Sequence, residues 1–352
     1  MSRFLRPSLE VLEPYTPGEQ PSERKYIKLN TNESPFPPSP KAIAAASEAA
    51  NNLQLYPALD GGELRSAIAK AIGVETSEVV VTNGSDEVLN FCFKAFCSAS
   101  SPAAFADITY GFYSVFAEYN EVPYELIPLK DDFSIDPNDY IGIGKNIFIA
   151  NPNAPTGLAL PLSDIEEIVR SNPDNIVVID EAYVDFGGES AVPLIRKYDN
   201  LIVTQTFSKS RSMAGARLGF GVACPELTSD IYRLIYSTNP YNLSRVNMAA
   251  GFGAINDEEY TRRNCRTIIE TREKTSAELR SIGFEVIPSS ANFIFAKSPD
   301  IGGKELYERL KAEGVLVRHF DKPRICDYLR ITIGSKDEME TLLEKIKLIL
   351  NK

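Results

Sequence analysis

The sequence predicts an α/β fold: a large domain with a mostly parallel sheet covered by helices on both faces, a smaller C-terminal α+β domain, and an extended N-terminal arm. Three observations carry this. Short apolar runs alternate with helical patterns between about residues 78 and 205, the rhythm of strands joined by crossover helices. After about residue 253 the texture changes to a long charged helix and then short strands beside helices. Residues 1–40 are rich in proline and polar groups, which disfavours packed helix. The expected division is an arm over 1–40, a large domain over 41–252 and a small domain over 253–352.

Taken in order, the arm runs through "PYTPGEQPSERKYIKLNTNESPFPPSP", a composition suited to lying along a neighbouring subunit. "EVVVTNGSDEVLNFCFKAF" (78–96) reads as strand, tight turn and helix. "NIFIA" (146–150), "NIVVID" (175–180) and "LIVTQ" (201–205) are apolar runs without polar alternation, as strands buried on both faces require, and "PLSDIEEIVRS" (161–171) is a helix between them. Beyond the change of texture come the helix over 257–283, strands "FEVIP" and "NFIFAK", the helix "GKELYERLKAEG", and strands "VLVR" (315–318) and "YLRITIG" (328–334).

With 352 residues, 43% of them hydrophobic, the chain is long enough for a substantial core. Its 37 basic and 48 acidic side chains leave a net charge of −11, which argues against nucleic acid or an anionic membrane as the main partner. An anionic substrate would need a local cationic pocket. The five cysteines have no zinc-type spacing and are an odd number, as in a thiol-keeping, reducing compartment. His319 is the single histidine and cannot anchor a multi-histidine metal site, so no metal is expected. The N-terminus has no signal-type apolar stretch and no apolar run approaches membrane-spanning length. The expectation is a cytoplasmic protein.

Three polar motifs fall at the C-terminal ends of expected strands, where open α/β sheets place ligands: "TNGSDE", "NPNAPTG" and "DEAY". In the first, Gly84 permits a sharp turn, and Ser85 and Asp86 either cap a helix or help its free amides hold a phosphate. Asp180 ends an apolar strand, where an ionised carboxylate is costly without a partner. It is either a helix cap or strand-end ion pair, or the group that keeps a pyridine nitrogen protonated. Tyr183 is either a packed aromatic or a phenol donor to the same ring.

"TFSKSRSMAGARLGF" (206–220) places Lys209 beside Thr206 and Ser208, with Arg217 eight residues on. That grouping suits a Schiff base with an aldehyde whose phosphate is gripped by hydroxyls and a guanidinium. A lone loop lysine is ordinarily solvated; four coincident signals favour the chemical reading.

These motifs, with "LEPYTPGEQP", "KLNTNESPFPPSP", "LYPALDGGELRSAIA", "ITYGFY", "NPYNLS", "PSSANFIF" and "YLRITIG", give a chain that resembles fold-type I pyridoxal-phosphate aminotransferases and, among them, the histidinol-phosphate branch. The resemblance implies pyridoxal 5'-phosphate held on Lys209, with Asp180 at the ring nitrogen, Tyr183 at the ring oxygen and Tyr110 stacked on the ring. It implies a phosphate cup of Gly84, Ser85, Asp86, Thr206, Ser208 and Arg217, with Tyr56 reaching in from a neighbouring subunit of a homodimer. It further implies substrate contacts at Arg330, Tyr15 and Asn32, and at Asn242 and Arg318. The reaction implied moves an amino group between L-histidinol phosphate and 2-oxoglutarate, glutamate being the second amino form. An aromatic-amino-acid aminotransferase or a threonine-phosphate decarboxylase of the same fold stays open as an alternative, and a non-catalytic cofactor-binding regulator is disfavoured by the intact lysine, aspartate and arginine set. Two positions depart from the pattern. Ala154 stands where the superfamily has an asparagine on the ring oxygen, so either Asn153 fills that role or Tyr183 works with less help. Ile108 stands where proline is usual before the stacking tyrosine.

Overall fold

The computed structural model describes residues 2–10, 12–13, 18–19, 21 and 23–351. Its strands are β1 (Ile27–Lys28), β2 (Val79–Thr82), β3 (Ala103–Ala106), β4 (Tyr124–Ile127), β5 (Asn146–Ala150), β6 (Val177–Asp180), β7 (Leu201–Thr206), β8 (Gly219–Ala223), β9 (Glu285–Ile287), β10 (Phe293–Lys297), β11 (Val315–Leu316), β12 (Arg318–His319) and β13 (Leu329–Thr332). The helices are α1 (Pro40–Ala49), α2 (Gly62–Ile72), α3 (Ser85–Phe96), α4 (Phe112–Tyr119), α5 (Leu162–Ser171), α6 (Pro225–Thr238), α7 (Arg245–Ile255), α8 (Glu258–Ser281), α9 (Gly303–Ala312) and α10 (Lys336–Leu350).

The large sheet has seven strands in the order β2-β8-β7-β6-β5-β3-β4. β8 alone runs against its neighbours β2 and β7; the other pairings are parallel. The period of two in each strand divides its side chains between two cores. Val79, Val81, Ile147, Ile149, Val177 and Ile179 meet Leu64 and Ile68 of α2 and Ile165 and Ile168 of α5. Val80, Phe148, Val178 and Ile202 meet Val88 and Phe93 of α3, Tyr113 of α4 and Ile231 of α6. With helices covering both faces, the apolar runs of the sequence need no polar alternation.

The small antiparallel sheet has the order β12-β13-β10-β9 and packs against α8, α9 and α10 through a core that includes Leu279, Phe293, Leu310, Leu342 and Ile346. Leu29, Tyr183 and Phe186 belong to this same core, so the arm and the turn after β6 are built into it. The arm is more than an extended strap: β1 pairs in parallel with β11. "VLVR", expected as one strand, divides into β11 and β12 because its first half pairs with the arm and its second with β13. α7 runs to Ile255, beyond residue 252, and packs on α1 and α2; a Cβ at Gly253 would collide with the Lys41 carbonyl of α1.

Candidate active site

The C-terminal ends of β2, β3, β5, β6 and β7 open onto one cavity of about 350 Å³. At one end, β2 stops at Thr82 and Gly84, with a left-handed φ of 75°, turns the chain into α3. A Cβ there would lie 3.0 Å from Arg217 Nη2, and a Cβ on Gly219 would collide with the Gly84–Ser85 peptide. Glycine at both positions lets β8 and the Arg217 guanidinium press against the start of α3. Asp86 accepts from Arg217 Nη2 at 3.1 Å and from Tyr110 Oη at 2.7 Å. Thr206 Oγ1 donates to Ser208 Oγ at 3.0 Å and accepts the Ser208 amide at 3.1 Å. Ser85, Asp86, Thr206, Ser208 and Arg217 therefore line a single cup of hydroxyls, cation and helix-start amides, suited to a phosphate.

Asp180 lies at the end of β6 in the same cavity, only 5% exposed. Its Oδ2 accepts from Tyr113 Oη at 3.1 Å and its Oδ1 from the Ala182 amide at 3.3 Å. Burial pushes its carboxyl up to about 7; the Tyr113 bond opposes that shift and the Asp86 charge reinforces it. Tyr113 is a residue that sequence reasoning missed. In sequence it is one more aromatic of "YGFY"; in the fold its ring meets that of Tyr110, which precedes α4, edge-on with centres 5.7 Å apart. Glu33, also missed, borders this cavity and pairs with Lys28 at 2.8 Å.

Lys209 stands where this cavity meets a second one of about 410 Å³; both are bordered by Lys209, Tyr183, Tyr110 and Ala154. Lys209 Nζ is 3.5 Å from the Thr31 carbonyl oxygen and 5.7 Å from the centre of the Tyr183 ring. The second compartment carries Arg330, Arg318 and Lys322. Arg330 donates to the Asn30 carbonyl at 3.1 Å and its guanidinium lies between the Phe293 and Phe320 rings, 5.5 Å from each centre. Arg318 faces Phe320 at 5.4 Å. Two cations held by aromatic faces make a site for a dianion or carboxylate.

Three of the expected site residues lie elsewhere. Asn153 borders neither compartment. Its amide accepts from Thr109 Oγ1 at 2.7 Å and donates to the Ile108 carbonyl at 2.9 Å and to Thr156 Oγ1 at 3.1 Å, so it binds the loop after β5 to the one after β3. Asn242 donates to Glu87 Oε2 at 2.7 Å while its carbonyl accepts from Asn83 Nδ2 at 2.8 Å, bracing the turn before α3 from behind. Tyr56 is 76% exposed and stacks on Tyr241 with ring centres 4.5 Å apart, outside both compartments of its own chain. Tyr15 lies outside the described residues.

The sequence pattern of the family described as "Aminotransferase class I and II" matches residues 24–346. A histidinol-phosphate aminotransferase of Brachyspira hyodysenteriae is 48% identical over 99% of both chains, and one of Marinomonas sp. is 49% identical over the same shares. The fold matches that of a histidinol-phosphate aminotransferase of Sinorhizobium meliloti solved in complex with pyridoxal-5'-phosphate, with a TM-score of 0.89, 22% identity, and coverage of 100% of this chain and 98% of that one. The chain belongs to the class I and II aminotransferases and, within them, to the family of histidinol-phosphate aminotransferases.

Proposed function

We propose that the protein is a pyridoxal-phosphate-dependent transaminase that moves the amino group of L-histidinol phosphate to 2-oxoglutarate in histidine biosynthesis, working as a cytoplasmic homodimer with shared active sites. The observation that carries this is the order of groups along one continuous space. A phosphate cup leads to a buried carboxylate, then to a lysine, then to paired arginines. The cofactor's chemical needs match that order: an anion holder at one end and an acid to face its ring nitrogen, with an amine near its aldehyde carbon. When bound, pyridoxal phosphate supplies an electron sink that lowers the cost of removing the proton from the substrate α-carbon.

The chain's own residues do the rest. The cup fixes the phosphate end through Ser85, Thr206, Ser208 and Arg217. Asp180 holds a proton on the ring nitrogen. Lys209 Nζ would hold the cofactor at its aldehyde carbon and, as a free amine, would carry the proton away from the donor α-carbon. Arg330 and Arg318 receive the phosphate of histidinol phosphate in one half-reaction and a carboxylate of glutamate in the other. The free thiols of Cys92, Cys97, Cys224, Cys265 and Cys326 suit a reducing compartment.

The test is a donor screen with 2-oxoglutarate as acceptor. Histidinol phosphate should give the highest kcat/KM, with phenylalanine and tyrosine slower. A higher value for an aromatic amino acid, or carbon dioxide released from threonine phosphate, would overturn the assignment. In the same assay Arg330→Ala should lose about 2–5 kcal/mol of glutamate half-reaction efficiency, as expected for truncating one side of a buried charged pair. An unaltered glutamate half-reaction would remove Arg330 from the site.

Support for the dimer comes from the exposed apolar side chains Leu53, Leu55, Tyr56 and Leu59 in one stretch, with exposed Tyr241 stacked on Tyr56 and exposed Phe252 lining a groove with Asn52 and Pro57. In the proposed dimer a second copy covers this face, and the Tyr56 of each chain serves the phosphate cup of the other. Mixed dimers of Lys209→Ala and Tyr56→Ala chains should then regain about half the wild-type activity, because one of two independent sites is intact. If Tyr56 serves its own chain, both sites keep a lesion and no activity returns.

A further inference from the structure

In sequence, Asn32 resembles a residue near the substrate, and it borders the second compartment. Its amide is nevertheless engaged on both sides, and the side chain is buried, with 1% exposure. Nδ2 donates to Tyr183 Oη at 2.9 Å, and Oδ1 accepts from Thr332 Oγ1 at 3.0 Å. The Asn32 backbone N–H donates to the same Thr332 oxygen at 2.9 Å, and its carbonyl accepts from Asn292 Nδ2 at 3.0 Å. One arm residue thus joins the turn after β6 to β13 and to the segment before β10. Its backbone is left-handed, with φ 56°, a conformation asparagine tolerates better than most side chains.

The direction of these bonds has a chemical consequence. Thr332 Oγ1 accepts the Asn32 N–H, and its single hydrogen is aimed at Asn32 Oδ1. That turns the amide nitrogen toward Tyr183. An amide NH₂ only donates, so Tyr183 Oη accepts from Asn32 and its own hydrogen is left to donate elsewhere. Tyr183 stands on the wall shared by both compartments, beside Ala154, which offers no polar group where the superfamily has an asparagine. We infer that Asn32 is a positioning residue: with Thr332, it aims the Tyr183 phenolic hydrogen at the cofactor's ring oxygen and so makes up for the asparagine missing at Ala154. This rests on the pyridoxal-phosphate reading above.

The readout is the pH dependence of the visible absorbance of the full-length holoenzyme. That absorbance follows the proton on the nitrogen joining Lys209 to the cofactor. A hydrogen bond to the nearby ring oxygen withdraws negative charge from beside that nitrogen, so losing the bond lets it hold its proton to higher pH. Tyr183→Phe should raise the midpoint by roughly one pH unit, the scale of one charge-assisted hydrogen bond. Asn32→Gly, which keeps the left-handed backbone available, should move it in the same direction. The double variant should move no further than Tyr183→Phe alone. Thr332→Val, close to threonine in volume, frees the amide to turn over and take the Tyr183 hydrogen, and it should also raise the midpoint; it decides the matter if Asn32→Gly does not fold. The inference is overturned if Tyr183→Phe shifts the midpoint while Asn32→Gly and Thr332→Val titrate like wild type. It is equally overturned if the Asn32→Gly shift adds in full to that of Tyr183→Phe, or if Asn32→Gly changes only the KM for donors. A wild-type protein that binds no pyridoxal phosphate would remove the underlying reading, and the inference with it.

Discussion

Replacing Lys209 with alanine is expected to lower kcat by about 10⁴-fold, the upper range for loss of a positioned general base, with further loss from the missing covalent anchor. The basis is positional: Lys209 Nζ stands where the phosphate-cup cavity meets the arginine-bearing one, and both compartments include Lys209 in their walls. Among the described residues, no other lysine borders the first cavity. The cup and Asp180 do not depend on Lys209, so the variant should still bind pyridoxal phosphate, but without a covalent bond. Borohydride reduction of the wild-type holoenzyme followed by peptide mapping should place the label on Lys209. Label on another lysine, or a covalent adduct that survives in Lys209→Ala, would refute the assignment. Near-wild-type turnover in the variant would refute the proton-carrying role even if the label fell on Lys209.

The strand-end motifs were legible because a parallel sheet buried on both faces leaves a simple mark: apolar runs such as Val177–Asp180 that end abruptly in polar residues. Each parallel strand delivers its next few residues to the same edge, so "TNGSDE", "DEAY" and the Lys209 turn had to meet. Bonds between distant segments leave no such mark. Asn32 touches Tyr183 across 151 residues and Thr332 across 300, and no local period records either contact. Asn153 is a position where the sequence leaves two readings open. An asparagine beside the vacant position at Ala154 looks like a substitute, but the loop turns its amide onto Ile108, Thr109 and Thr156. "VLVR" reads as one strand by composition, while pairing partners, which composition does not specify, divide it. Tyr113 was hidden because a buried aromatic on a helix face is ordinary core; its hydroxyl matters only because β6 ends opposite it.

Asp180→Asn should lower kcat by on the order of 10³-fold, comparable to removing a preorganised charge at the reacting group, because an amide cannot hold a proton on the ring nitrogen. The same residue should leave a mark on stability that needs no turnover. In cofactor-stripped protein, burial holds the Asp180 carboxyl at about 7, above its ordinary value of 3.8. The folded state then binds a proton more tightly than the unfolded state. Stability from this group is full below about pH 4 and is lost as pH rises through about 7, by at most about 4 kcal/mol. Glu181, raised to about 7 chiefly by burial, acts in the same direction. Stripped wild-type protein should therefore melt at progressively lower temperature between pH 5 and 8 as both groups ionise. Stripped Asp180→Asn should keep only the Glu181 share of that slope. Added pyridoxal phosphate should flatten the wild-type slope by pairing the Asp180 carboxylate with a cationic ring nitrogen, and should leave the variant's slope unchanged. Equal slopes in the two stripped proteins would show that Asp180 is not the buried acid of this site. A cofactor that stabilises both proteins without altering either slope would show that Asp180 does not face the ring nitrogen, whatever its effect on kcat.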